Sequence, residues 1–235
     1  MSEDAPVYAT QTPEEPAPRI TPVVQWLIAI NAFVYFIQLT LLKPGDVQSA
    51  LGFQTKDLGH QWWTIGTYMF VHGGLVHFLL NFFALFVFGA AVESRMGSRQ
   101  FILFYLYCGV GAAIISMLLG RFMTVTPFFG ASGAVLGVMV AFAMFWPDAE
   151  MVVFPIPAPI RARTLVIALI AIDLVFALWP RGDGLSHPAH LGGALAGWLF
   201  LRMQLLSRGA PAEPTRTVER VVMVQSGAGD EHQRE

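Results

Sequence analysis

From Ile20 to Leu42 no residue is charged. About 20 mostly apolar residues are enough to cross a bilayer as a helix, so this run strongly limits what the chain can become. It is too long for the core of a secretory signal peptide, and no small-residue cleavage site follows it, which makes it a retained helix. Five more apolar stretches follow. They are Gly74 to Val92, Gln100 to Gly120, a stretch between Arg121 and Asp148, Thr164 to Trp179 interrupted by Asp173, and Ala189 to Leu206. The expected fold is an all-α polytopic membrane protein, a bundle of six transmembrane helices. Asp, Glu, Lys and Arg make up only 13% of the chain, against about 25% in a soluble domain. Fourteen basic residues meet sixteen acidic ones, which excludes nucleic-acid binding through a basic surface. A single cysteine, Cys108, excludes a disulfide framework.

The six spans form one domain, residues 19–208. The ends, 1–18 and 209–235, are polar or rich in Pro, Gly and charge and are expected to be disordered. Basic residues in short loops set orientation. With the N-terminus inside, seven arginines (19, 95, 99, 161, 163, 202 and 208) lie inside, against Lys43, Lys56, Arg121 and Arg181 outside. Both termini are therefore expected in the cytoplasm.

Two stretches break the pattern. The connection from Lys43 to about Gly73 is long for a loop and carries Trp62, Trp63, Tyr68, Met69 and Phe70, residues suited to a segment lying in the membrane interface. In the fourth span, Pro127 and Gly130 put the helix start at about Ser132. From there to Trp146 the helix is only about 22 Å long, against a hydrocarbon core of about 30 Å. A short fourth helix with a sunken N-terminus is expected. Irregular backbone at that depth survives only within protein or beside a water cavity.

Polar side chains inside spans are costly and invite a functional reading. Ser132 lies in Gly-Ala-Ser-Gly (130–133) at the start of the short helix. Backbone N–H groups there have no intrahelical acceptor, which suits a nucleophile beside an oxyanion donor. The same residue also reads as an N-cap between packing glycines. His190 shares a face with Gly193 and Gly197, while the fourth helix offers Gly133 and Gly137. Docking these small-residue faces brings Ser132 and His190 within reach, as nucleophile and general base. Taken alone, His190 also reads as a polar packing contact. His77 and Asn81 are four apart on the second span and can both donate toward an oxyanion, or act as interhelical glue. His72 falls at the entrance of that helix, where it can bond to loop backbone. No acidic partner for His190 is evident, which favours a Ser-His dyad over a triad. The histidines have no nearby carboxylate or cysteine to complete a ligand set, so no metal is expected.

Four motifs now stand in order. They are His-Gly-Gly-Leu-Val-His-Phe-Leu-Leu-Asn at 72–81, Gly89 with Glu93, Gly-Ala-Ser-Gly at 130–133, and Ala-His-x-x-Gly-x-x-x-Gly from Ala189 to Gly197. In these, across residues 20–208, the chain resembles the rhomboid family of intramembrane serine proteases, in its minimal, bacterial-type six-span form. The resemblance implies Ser132 as nucleophile and His190 as base, with an oxyanion hole of His77, Asn81 and the Ser132 N–H. It gives His72 a structural role above the site, and Glu93 and Arg95 the ordering of the inner end of the second span. It implies single-pass membrane proteins as substrates, cut at a small residue near the outer end of their helix. It places the protein among membrane lipids. Twelve arginines against two lysines, with no seventh span, point to a bacterial cytoplasmic membrane, and no cofactor is expected. No sequence feature points to an oligomeric state.

The chain departs from the family in three places. Trp62-Trp63 stands where Trp-Arg is common, which removes a polar anchor at the second position. Leu136 replaces an aromatic that usually stacks on the catalytic histidine, so imidazole packing is expected to be aliphatic. Asp173 belongs to no family motif. It reads either as a latch bonded to the second span at a lateral gate, or as an acid facing the aqueous cavity, neutral through burial. Two rival functions are a non-catalytic rhomboid-like chaperone, whose members typically lack the serine or histidine, and a small transporter, which would carry paired broken helices and an inverted repeat.

Overall fold

Six long helices follow the six apolar stretches. In chain order the elements are α1 (Pro22–Thr40), a short α2 (Pro44–Leu51), α3 (Leu75–Met96), α4 (Ser98–Leu119), α5 (Ser132–Phe145), α6 (Ala162–Leu178) and α7 (His187–Arg208). A two-residue antiparallel pair, β1 (Glu150–Met151) and β2 (Ile160–Arg161), joins α5 to α6. The structure, a computed structural model, describes residues 20–208 apart from 42, 123, 124, 126, 154–157 and 180–185. Both termini expected to be disordered lie outside the described residues.

Among the described residues, α1, α3 and α4 are long and apolar enough to cross a membrane. The face α1 turns to the bundle carries Asn31, Tyr35 and Gln38 besides Val24 and Leu27, whereas Trp26, Phe33, Phe36 and Leu39 point outward. A helix with its polar groups inside and its aromatics outside suits a lipid surround, where the exposed side meets hydrocarbon.

The helix α5 begins at Ser132 and ends at Phe145, as the proline and glycines before it predict. Every residue from Gly133 to Ala141 is buried, the pattern of a helix enclosed on all sides. It packs most extensively on α7, then on α3 and α4, and less on α6; α4 and α7 also pack on each other. Glycines make the close approach possible. A methyl at Gly193 would lie 1.9 Å from the Gly133 carbonyl oxygen, and one at Gly197 would lie 2.9 Å from that of Gly137. This is the expected docking of small-residue faces.

The opposite end of the bundle is tied by Glu93 on α3. Its carboxylate accepts from the Val23 and Val24 N–H groups at 3.0 and 2.9 Å, from the Thr21 hydroxyl, and from the Ser98 hydroxyl at 2.6 Å. A negative group there satisfies the free donors of the α1 N-terminus. Gly97, at φ 81°, makes the left-handed turn between α3 and α4. Arg95 lies over the rings of Phe145 and Trp146, 4.7 and 5.5 Å from their centroids, at the C-terminal end of α5.

The long connection folds down onto the bundle. Phe53, Tyr68, Met69 and Val71 are buried, while Trp62 stays exposed. Phe53 and Phe128 exchange two backbone hydrogen bonds of 2.8 and 3.1 Å, and the Gly130 N–H donates to the Tyr68 carbonyl at 2.8 Å. The Tyr68 hydroxyl donates to the Gly109 carbonyl at 2.7 Å. These bonds clamp the segment that leads into Ser132. Trp63 corrects the expected loss of a polar anchor, because its indole N–H donates to the Ala50 carbonyl at 2.9 Å.

Candidate active site

Ser132 is the first residue of α5, so its N–H has no intrahelical acceptor. Its Oγ lies 2.7 Å from Nε2 of His190, one turn into α7. This is hydrogen-bond distance, the separation the expected nucleophile and base would need. Gly130, two residues earlier, has φ 119°, and a methyl there would fall 2.5 Å from the His77 ring. Glycine is thus required twice over, by the backbone and by the histidine lying against it.

The predicted oxyanion donors lie on the same side. His77, Asn81, Ser132 and His190 line one cleft of about 210 Å³ together with Leu136 and Asp173. Nε2 of His77 is buried without a hydrogen-bond partner among the described residues. Asn81 uses one Nδ2 hydrogen on the His77 carbonyl, at 2.9 Å, which leaves the other for the cleft.

His72 is nearly fully buried, and its ring packs edge-on against Tyr35, His77 and Phe78. Burial, and then the neighbouring His77, push its imidazole down to about 4, so the ring is neutral at physiological pH. The expected contact from its side chain to loop backbone falls on Phe70, although neither ring nitrogen completes a hydrogen bond of good geometry among the described residues. Its backbone is what is held. Gln38 on α1 donates from Nε2 to the His72 carbonyl and accepts the His72 N–H at 3.2 Å.

The largest correction concerns Asp173. His190 does have an acidic partner, because Oδ1 of Asp173 lies 2.9 Å from Nδ1 of His190. The same oxygen lies 2.6 Å from Nδ1 of His187. The hydrogen bonds of Asp173 among the described residues run to α7, not to α3, so they form no latch onto the second span. His187 escaped the sequence reading although His187 and His190, three apart on one helix, share a face. His187 also alters the expected aliphatic packing of the base. Its ring meets that of His190 edge-on at 5.9 Å, and Phe176 backs it at 5.2 Å. Leu136, where an aromatic was missing, lines the cleft instead. The reason for setting a metal aside also falls, since Asp173, His187 and His190 bring three donor atoms within 4.8 Å of one another.

The fold and this cluster define a class, a multi-pass helical membrane protein with a serine–histidine pair at the half-buried start of a short central helix. The family follows from comparison. The Rhomboid domain matches residues 59–206, and the chain belongs to the rhomboid family. It is 27% identical over 198 residues to "Rhomboid protease AarA" of Providencia stuartii, covering 74% of this chain and 69% of that one. It is 32% identical to "RHOMBOID-like protein 6, mitochondrial" of Arabidopsis thaliana over 72% of this chain and 50% of the relative. It is 29% identical to "Rhomboid protease GluP" of Bacillus subtilis over 86% of this chain and 38% of that one. The chain thus spans half or less of the last two relatives. By family it is a rhomboid-type intramembrane serine protease.

Proposed function

We propose that this chain is an endopeptidase that cuts single-pass membrane proteins near one end of their transmembrane helix, using Ser132 and His190. The observation that carries the reading is the 2.7 Å contact between Ser132 Oγ and His190 Nε2 at the half-buried start of α5. His190 takes the hydroxyl proton as Ser132 Oγ attacks the scissile carbonyl carbon. The new oxyanion accepts from the Ser132 N–H, from His77 Nε2 and from Asn81 Nδ2. His190 then gives its proton to the leaving amine, and the C–N bond breaks. Water gives a proton to His190 as it attacks the acyl carbon, and His190 returns that proton to Ser132 Oγ as the ester C–O bond breaks and the carboxyl product leaves.

Residues of α3 and α6 line the cleft on either side of Ser132, which supports entry of a substrate segment between those helices. The chain would have to unwind there, because a helical peptide keeps its carbonyls in its own hydrogen bonds. Small residues at the cut fit a site enclosed by Leu136, Met139 and Leu169. The basic residues favour both termini in the cytoplasm, with the serine end of the bundle facing outward across a bacterial cytoplasmic membrane.

The test is incubation of a single-span reporter with wild type, Ser132→Ala and His190→Ala in detergent. Only wild type is expected to release product. Equal product from all three refutes the assignment.

A further inference from the structure

We propose that Asp173 is the positioning residue of the base, so that the site works as an Asp173–His190–Ser132 relay with His187 as a second clamp on the carboxylate. The inference rests on the protease reading above. One carboxylate oxygen meets two imidazole Nδ1 atoms, at 2.6 and 2.9 Å. A protonated carboxyl has one hydrogen and could not bridge both nitrogens through that oxygen as donor. It could donate to one Nδ1 only while accepting from the other, whereas an ionised Oδ1 accepts from both; in the relay proposed here the carboxylate is ionised and each Nδ1 carries the hydrogen. For His190 this fixes the tautomer, leaving an Nε2 lone pair facing the Ser132 hydroxyl 2.7 Å away. When His190 takes the serine proton it becomes an imidazolium, and the carboxylate beside Nδ1 stabilises that charge.

The cluster is well enclosed. Side-chain exposure is 7% for His187, 11% for Asp173 and 15% for His190, so water screens the attraction weakly. His187 supplies what a lone aspartate inside a span lacks, a second donor that holds Oδ1 in place while His190 cycles. Phe176 on α6 fixes the His187 ring in turn. Asp173 sits on α6 and His190 on α7, so the relay also ties a wall of the cleft to the base.

The decisive variant is Asp173→Asn, assayed in the full chain on the single-span reporter. An amide nearly matches a carboxylate in shape, and a purely structural role would survive the change. In the relay, the amide N–H₂ can donate to Nδ1 and impose the tautomer whose hydrogen points at Ser132. The expected result is a fall in kcat of about 10²–10⁴-fold with KM within about twofold. The other titratable groups facing His190 are His77 from α3, Tyr68 from the long connection and His187 on its own helix. All three are unchanged in the variant.

Ser132→Ala runs in parallel. If it cleaves like wild type, the protease reading falls. If it is silent while Asp173→Asn keeps the wild-type kcat, only the relay falls. Should Asp173→Asn fail to fold, ¹⁵N NMR of histidine-labelled wild type decides, with the His190 signals assigned by their loss in His190→Ala. A protonated Nδ1 and a bare Nε2 are expected, and the reverse overturns the proposal.

Discussion

Gly193→Ala tests the link between helix packing and the site. The added methyl would lie 1.9, 2.4 and 2.9 Å from the oxygen, carbonyl carbon and Cα of Gly133. All three are backbone atoms, so no side chain can swing aside. Restoring ordinary contact at 3.4 Å requires α5 and α7 to part by about 1.5 Å. Ser132 precedes Gly133 directly, and His190 is one turn before Gly193, so the same displacement opens the 2.7 Å contact between them. The resulting gap of roughly 4 Å exceeds hydrogen-bond reach. Overpacking of this kind costs about 1–3 kcal/mol, and a misplacement of about 1 Å costs about 10²-fold in rate. The assay pairs thermal unfolding in detergent with cleavage of a single-span reporter. Gly45→Ala in α2, where nothing lies within 4 Å, is the control. A Gly193→Ala protein with wild-type melting temperature and rate would refute the claim that glycine contacts set the catalytic distance.

Glu93→Gln keeps shape but removes the charge that accepts from Thr21, Val23, Val24 and Ser98. An amide turns donors toward donors, so a loss of about 1.5–3 kcal/mol is expected in unfolding free energy, and an unchanged melting curve would contradict the cap. His72 titrates at about 4 when folded, against 6.5 for a free imidazole. Between these values the unfolded chain binds the proton that the folded chain refuses, so stability should fall as pH drops through that window. His72→Phe should lose less melting temperature than wild type over this range, and parallel curves would contradict the assignment. His77→Ala should lower kcat by about 10²–10³-fold if His77 holds the oxyanion, and a loss under twofold would remove it from that role.

Much of this was readable in the sequence because the membrane leaves so few polar groups inside spans. The start of α5 was legible from Pro127 and Gly130, since each limits the backbone locally. The meeting of Ser132 and His190 was legible from two pairs of glycines four apart, because small residues at that spacing mark where helices touch. The partner of His190 was not legible. Asp173 is fourteen residues before His187 and on another helix, and no local rule sets how α6 rotates against α7. The role of Gln38 was hidden for the same reason, as its partner is the backbone of His72, thirty-four positions away. Sequence periodicity tells which face turns inward, and only the packed helices tell which inward groups meet.

The central claim is that His190 activates Ser132 as the nucleophile. Intact-mass and peptide-mass analysis after reaction with a fluorophosphonate probe tests it most directly. One adduct per chain is predicted on the peptide containing Ser132, with none in Ser132→Ala and a much slower reaction in His190→Ala. An adduct on another residue, or labelling of Ser132 at the wild-type rate without His190, would contradict it.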